Sequence, residues 1–179
     1  MNSHQTEIPG VILIDNFTYD DERGGFIKAF SADFFELCGL SFIPREFYYS
    51  ISKKNVIRGM HFQIPPKEHA KLIFVLEGAI LDVVLDLRKS SPMFGKSTSY
   101  CLAKGENSIY IPPGCAHGFK SLHENTITFY SQTSCYSKEH DTGVLWNSFG
   151  FDWGVGEPIV SERDKSFKTF NNFTSPFIK

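Results

Sequence analysis

The chain has 179 residues and a formal net charge of −2. That length suits one domain with a sizeable core, expected to span 1–179. The charge balance leaves no electrostatic footprint for nucleic acid or for an acidic membrane surface.

Four cysteines (Cys38, Cys101, Cys115, Cys135) lack CxxC spacing, and no apolar run is long enough to cross a bilayer. This predicts reduced thiols in a cytoplasmic protein, with no structural zinc. Phenylalanine at 18 residues and aromatics at 15% favour strands around an aromatic-lined interior.

In chain order, residues 1–10 are polar and are expected to be loose. Val11 to Ile14 is a short apolar run, and Asp15 to Glu22 is acidic and turn-like. The glycine pair in Arg23-Gly24-Gly25-Phe26-Ile27 most often means a hairpin turn; the other use is a corner that aims Arg23 at an anion. Ser31 to Leu40 is the one convincing helix of the N-terminal half, opened by Ser31 and closed by Gly39. Glu46 to Ser52 is β-prone, and Lys53-Lys54-Asn55 turns into Arg58-Gly59-Met60-His61-Phe62-Gln63. Strict alternation would put Arg58, Met60 and Phe62 on one face of that strand and Gly59, His61 and Gln63 on the other.

Leu72 to Leu76, a Glu77-Gly78 turn and Ala79 to Leu87 read as a hairpin. Asp82 and Asp86 share a face with Ile80 and Val84. A carboxylate in so apolar a strand needs a partner. Strands are predicted over Ser97–Leu102, Ser108–Ile111 and Thr126–Thr133, with a sharp corner at Pro112-Pro113-Gly114. From Lys138 the chain is irregular, anchored by Trp146 and Trp153, and Ser161-Glu162-Arg163-Asp164 carries part of a helix-capping pattern. Short strands between frequent turns indicate a β-sandwich or barrel.

The polar groups set among these strands are Arg58, His61, Lys71, Asp82, His117, Tyr130 and Asp164. They supply a base, a cation, an acid and carboxylates able to orient the base, which is a set for proton transfer. Histidine near neutral pH takes or gives a proton with little tuning. The sequence has no H-x-H metal pair by His61, no nucleophile elbow and no phosphate-cradling glycine loop.

Arg58-Gly59-Met60-His61-Phe62-Gln63, Asp86-Leu87-Arg88-Lys89-Ser90-Ser91-Pro92-Met93-Phe94-Gly95 and Ile111-Pro112-Pro113-Gly114-Cys115-Ala116-His117-Gly118-Phe119 together resemble the dTDP-4-dehydrorhamnose 3,5-epimerase family, from about Val11 to Asp164. The resemblance implies a mainly β, cupin-type jelly-roll barrel with a few short helices. It implies no metal, no organic cofactor, and a homodimer whose exchanged N-terminal strands reach the partner's site. His61 matches the general base, Asp164 the carboxylate that orients it, Tyr130 the acid on the other side of the sugar, and Lys71 the cation near the C4 carbonyl. Asp82 and His117 match polar lining residues, Arg23 and Arg58 match diphosphate ligands, and Tyr136 matches an aromatic that stacks on the base. Gln63, in the first of these segments, and Phe26, shortly after Arg23, are also expected at the substrate. Lipopolysaccharide O-antigen or other deoxysugar synthesis follows from the resemblance alone.

Two segments depart from the family. Glu46-Phe47-Tyr48-Tyr49 stands where many members have a Gln-Asp-Asn-His type run before the shared serine. Gly25-Phe26-Ile27-Lys28 stands where aromatics and a glutamate are common. Both are expected in the nucleotide and phosphate region, away from the proton-transfer centre. Inversion of C3, C5 or both, on a dTDP-, CDP- or GDP-linked 4-ketosugar, therefore stays open. So do a ketoisomerase and, from a different class, a non-catalytic sugar-nucleotide-binding cupin.

Overall fold

The computed structural model describes residues 1–178. In chain order come β1 (Asn2–Gln5), β2 (Ile12–Asp15), β3 (Phe17–Asp21), β4 (Gly24–Lys28) and the short helix α1 (Ala32–Leu37). Then follow β5 (Glu46–Ser52), β6 (Val56–Gln63), β7 (Lys71–Glu77), β8 (Ala79–Asp86) and β9 (Ser97–Ala103). β10 (Asn107–Ile111), β11 (Cys115–Ser121), β12 (Thr126–Gln132), β13 (Asp141–Gly143), β14 (Ile159–Val160), helix α2 (Glu162–Lys165) and a 3-10 turn (Phe170–Asn172) follow.

The strands build two principal sheets. One runs β1-β2-β10-β7-β12-β5; the other runs β13-β6-β11-β8-β9, with β14 added in parallel to β6. This is a jelly-roll sandwich of the cupin type. Between the sheets lies an apolar core that includes Ile73, Val75, Ile80, Val84, Leu102, Ile109 and Phe119. The outer faces are covered as well. Phe35 of α1 and Phe42 pack with Ile12, Ile14 and Leu72 on the first sheet. Trp153 and Phe177 pack with Val83, Leu85 and Leu87 on the second. Coverage on both sides explains why β8 reads as an almost unbroken apolar run. Among the described residues no helix is long and apolar enough to cross a membrane.

The structure corrects four local expectations. β7 and β8 do not form a hairpin: they lie in different sheets. Gly78, at φ +78°, carries the chain across, and a Cβ there would meet Thr126 Oγ1 at 2.7 Å. A tight turn and two apolar runs look the same in sequence whether the second strand pairs with the first or faces it. Residues 1–10 are not loose either, since β1 pairs antiparallel with β2 at the edge of its sheet. The acidic stretch after Asp15 is β3, paired with β4 in a separate hairpin. The expected turn is the tip of that hairpin, at Glu22 and Arg23.

The fourth correction matters most for function. His117 of β11 pairs with His61 of β6, but Phe119 pairs with Arg58. Two steps on one strand therefore match three on the other, and β6 carries one extra residue. The extra residue resets the alternation, so Arg58 and His61 turn to the same side. The backbones approach closely at this point. A Cβ on Gly59 would sit 2.6 Å from the Gly118 Cα, and one on Gly118 would meet Met60 Sδ at 2.6 Å and the Arg58 oxygen at 2.9 Å. Gly118→Ala should therefore destabilise the fold by about 1–3 kcal/mol, the usual cost of overpacking a filled interior. A urea titration of the two proteins checks this.

Candidate active site

A cavity of about 400 Å³ opens between the two sheets, a volume suited to a small ligand. Arg58 and His61 of β6 and His117 of β11 come from one sheet. Ser50 of β5, Lys71 of β7 and Tyr130 of β12 come from the other.

His61 is held from behind. Its Nε2 donates to Asp164 Oδ1 at 2.7 Å, and Asp164 Oδ2 accepts the Gly59 backbone N–H at 3.2 Å. Asp164 is 3% exposed. It sits in α2, whose cap is Ser161: the Ser161 hydroxyl accepts the Asp164 backbone N–H at 3.1 Å. Burial alone would raise the Asp164 pKa, but the hydrogen bond and charge of His61, with the Gly59 N–H, bring it below the ordinary carboxylate value. An ionised Asp164 fixes the tautomer of neutral His61, with the proton on Nε2 and a lone pair on Nδ1. Burial, together with the charges of Lys71 and Arg163, lowers the His61 pKa more than Asp164 raises it. The imidazole is therefore a free base at neutral pH, as a proton acceptor must be.

His117 stands directly across the β6–β11 ladder from His61 and has its own carboxylate. Its Nε2 donates to Asp82 Oδ2 at 2.6 Å. Asp82 is fully buried and orients His117 from behind, which gives that carboxylate the partner its sequence context demands.

On the opposite sheet, Lys71 Nζ donates to the His61 carbonyl at 3.0 Å across the gap. Burial lowers its pKa to about 8, partly offset by the charges of Asp141 and Asp82. Tyr130, 7% exposed, donates or accepts in a 3.3 Å bond with Ser50 Oγ. Burial raises its pKa far above that of an ordinary phenol, so it stays protonated and can act as an acid.

The structure thus gathers Arg58, His61, Lys71, His117, Tyr130 and Tyr136 around one cavity, with Asp164 and Asp82 behind the two histidines. It does not bring Gln63 there. That amide donates to the Lys67 and Cys135 carbonyls at 2.9 and 3.2 Å and accepts the Ser137 N–H at 2.6 Å, pinning the loop that carries Tyr136. Nor do Arg23 and Phe26 of the same chain reach the cavity. They lie on the β3–β4 hairpin, where Arg23 pairs with Asp21 at 2.5 Å and Phe26 is exposed.

Among the lining residues that escaped the sequence reading are His69, Arg163, Ser50 and Tyr48. His69 borders the cavity, and burial lowers its pKa to about 3, which keeps it neutral. Its loop position gave no periodic signal. Arg163 lines the cavity, pairs with Asp141 at 2.5 Å and lies over the Phe167 ring at 5.1 Å; adjacency to Asp164 was the available clue. Ser50 and Tyr48 sit on β5, where alternation put them on the cavity side. Tyr48 stacks on Tyr130, with centroids 4.6 Å apart and planes at 14°. The departure at 46–49 therefore reaches Tyr130, contrary to the expectation that it would lie away from that residue. Among the described residues no three His, Cys, Asp or Glu side chains gather as metal ligands would.

The family model for dTDP-4-dehydrorhamnose 3,5-epimerase matches residues 5–172. The chain belongs to that family. A Shigella flexneri dTDP-4-dehydrorhamnose 3,5-epimerase is 36% identical over 176 residues, covering 95% of this chain and 96% of its own. A Legionella pneumophila 3,5-epimerase solved with dTDP-4-keto-L-rhamnose superposes with a TM-score of 0.92 at 31% identity, covering 99% and 96%. A 3′-monoepimerase from Streptomyces bikiniensis, solved with dTDP-quinovose, gives 0.87 at 27%, covering 93% and 86%. The chain is accordingly an isomerase that epimerises a nucleotide-linked 4-ketosugar.

For an epimerase of this build, kcat/KM should be bell-shaped in pH. With His61 as the proton acceptor, the acid limb should lie below pH 6.5. With charged Lys71 as the electrostatic partner, activity should fall as pH rises through about 8. A pH–rate profile with viscosity controls reads both limbs. An alkaline limb near 10 would show that Lys71 is not the charged group at work.

Proposed function

We propose that the cavity binds a 4-keto-6-deoxyhexose linked to a nucleoside diphosphate. In this reading His61 Nδ1 removes the proton at C3 or C5, and Tyr130 returns one to the opposite face. The carrying observation is that imidazole and phenol stand on different sheets around one cavity. A ring lying between them meets a base on one side and an acid on the other, which is what inversion requires. The C4 ketone acidifies both neighbouring carbons, and deprotonation leaves charge on O4 as an enolate. Lys71 uses one N–H on the His61 carbonyl and has two more for that oxygen. Such a fixed charge, acting where charge develops, is worth on the order of 10²–10³ in rate.

His61→Ala should abolish deuterium uptake from heavy water at C3 and C5. Tyr130→Phe should keep exchange and lose inversion, followed by NMR of the recovered sugar. Full inversion by the Tyr130→Phe protein would remove Tyr130 as the acid. No exchange with any nucleotide-linked ketosugar would favour a binding module.

Relatives solved with dTDP-sugars support dTDP as the carrier. Glu46 favours a second reading. Its Oε2 is fixed by the Tyr136 N–H at 2.5 Å and by Gln132 Nε2 at 3.2 Å, which holds a carboxylate in the cavity wall. Carboxylates accept from exocyclic amines, which cytosine and guanine have and thymine lacks. Calorimetric titration with TDP, CDP and GDP separates the two readings.

The active form is read as a cytoplasmic homodimer. Unpaired thiols suit a reducing compartment. The β3–β4 hairpin stands outside both principal sheets and exposes Phe17, Tyr19, Phe26 and Ile27, while Phe47, Tyr49 and Ile51 are exposed on edge strand β5. A partner would cover both surfaces and receive Arg23 at its cavity as a diphosphate ligand beside Arg58. Light scattering should then give twice the chain mass. Arg23→Ala should raise KM by about tenfold, the loss of one charge-assisted contact, with kcat little changed.

A further inference from the structure

Among the described residues the acid has one hydrogen-bonding side-chain neighbour, and the proton transfer described so far does not use it. Tyr130 Oη meets Ser50 Oγ at 3.3 Å. Ser50 pairs with Thr128 on the β5–β12 ladder and lies diagonally beside Tyr130 on the same face. Its neighbour Tyr48, directly opposite Tyr130, stacks on the phenol ring and holds it in place. Ser50 itself is half-buried and lines the cavity, so its hydroxyl meets both the phenol and the cavity's solvent.

Inverting two carbons requires two protons from one phenol. After the first transfer, Tyr130 is a buried phenolate and cannot donate again until it regains a proton. The only hydroxyl in contact with it among the described residues is that of Ser50. We propose that Ser50 is the relay that recharges Tyr130 between the two inversions. The Ser50 O–H bond breaks as the Tyr130 O–H bond forms, and Oγ takes a proton from cavity water in the same exchange. The proton collected by His61 leaves to solvent, so each inverted carbon trades one substrate proton for one solvent proton and no charge is left behind. Before transfer, Ser50 donates to Oη, which frees the phenol proton to point at the sugar.

This proposal rests on Tyr130 being the acid, and its test keeps the two ideas apart. With dTDP-4-keto-6-deoxyglucose in heavy water, NMR reports the ratio of singly to doubly inverted product. Ser50→Ala should raise that ratio about tenfold or more, a modest share of what positioned proton transfer contributes. Ser50→Thr, which keeps a hydroxyl, should restore the parent ratio. The relay is overturned if Ser50→Ala leaves the ratio unchanged, or if it removes exchange and both inversions together. Unimpaired inversion by Tyr130→Phe would instead refute the acid assignment, and the relay would fall with it.

Discussion

The site depends on the buried carboxylate of Asp164. Leaving such a group without hydrogen bonds would cost several kcal/mol, and here both oxygens are engaged, by His61 Nε2 and by the Gly59 N–H. One contact fixes which imidazole nitrogen carries the proton. The other ties the C-terminal helix α2 to the irregular point of β6. The orientation of His61 and the local course of the strand are thus set by a single side chain more than a hundred residues away in sequence.

The remaining chemistry follows from placing opposite tendencies on opposite walls. Burial lowers the His61 pKa, which leaves a neutral base, and raises that of Tyr130, which leaves a protonated acid. The same desolvation acts on both and drives each toward its neutral form. Lys71 is the exception. It keeps a charge near neutrality because Asp141 and Asp82 partly offset its burial, and that charge lies on the same cavity.

The hairpin of β3 and β4 makes the opposite use of apolar surface. Its aromatic residues are exposed in the single chain, as are Phe47, Tyr49 and Ile51 on edge strand β5. A patch of this kind has little reason to persist on an isolated monomer, which is why the dimeric reading places Arg23 and Phe26 at a neighbouring cavity.

Much of this was legible in sequence. Alternating apolar runs and turn residues specified a mainly β fold, and the segments 58–63, 86–95 and 111–119 specified the family, because those features depend on residue type and short spacing. Three things were decided by tertiary structure alone. Whether β7 pairs with β8 or faces it depends on long-range sheet packing, which a two-fold pattern cannot encode. That Arg58 and His61 share a face depends on one extra residue in β6, seen only against the register of β11. That Tyr48 and Ser50 serve Tyr130 depends on β5 and β12 lying side by side, a pairing of strands some eighty residues apart.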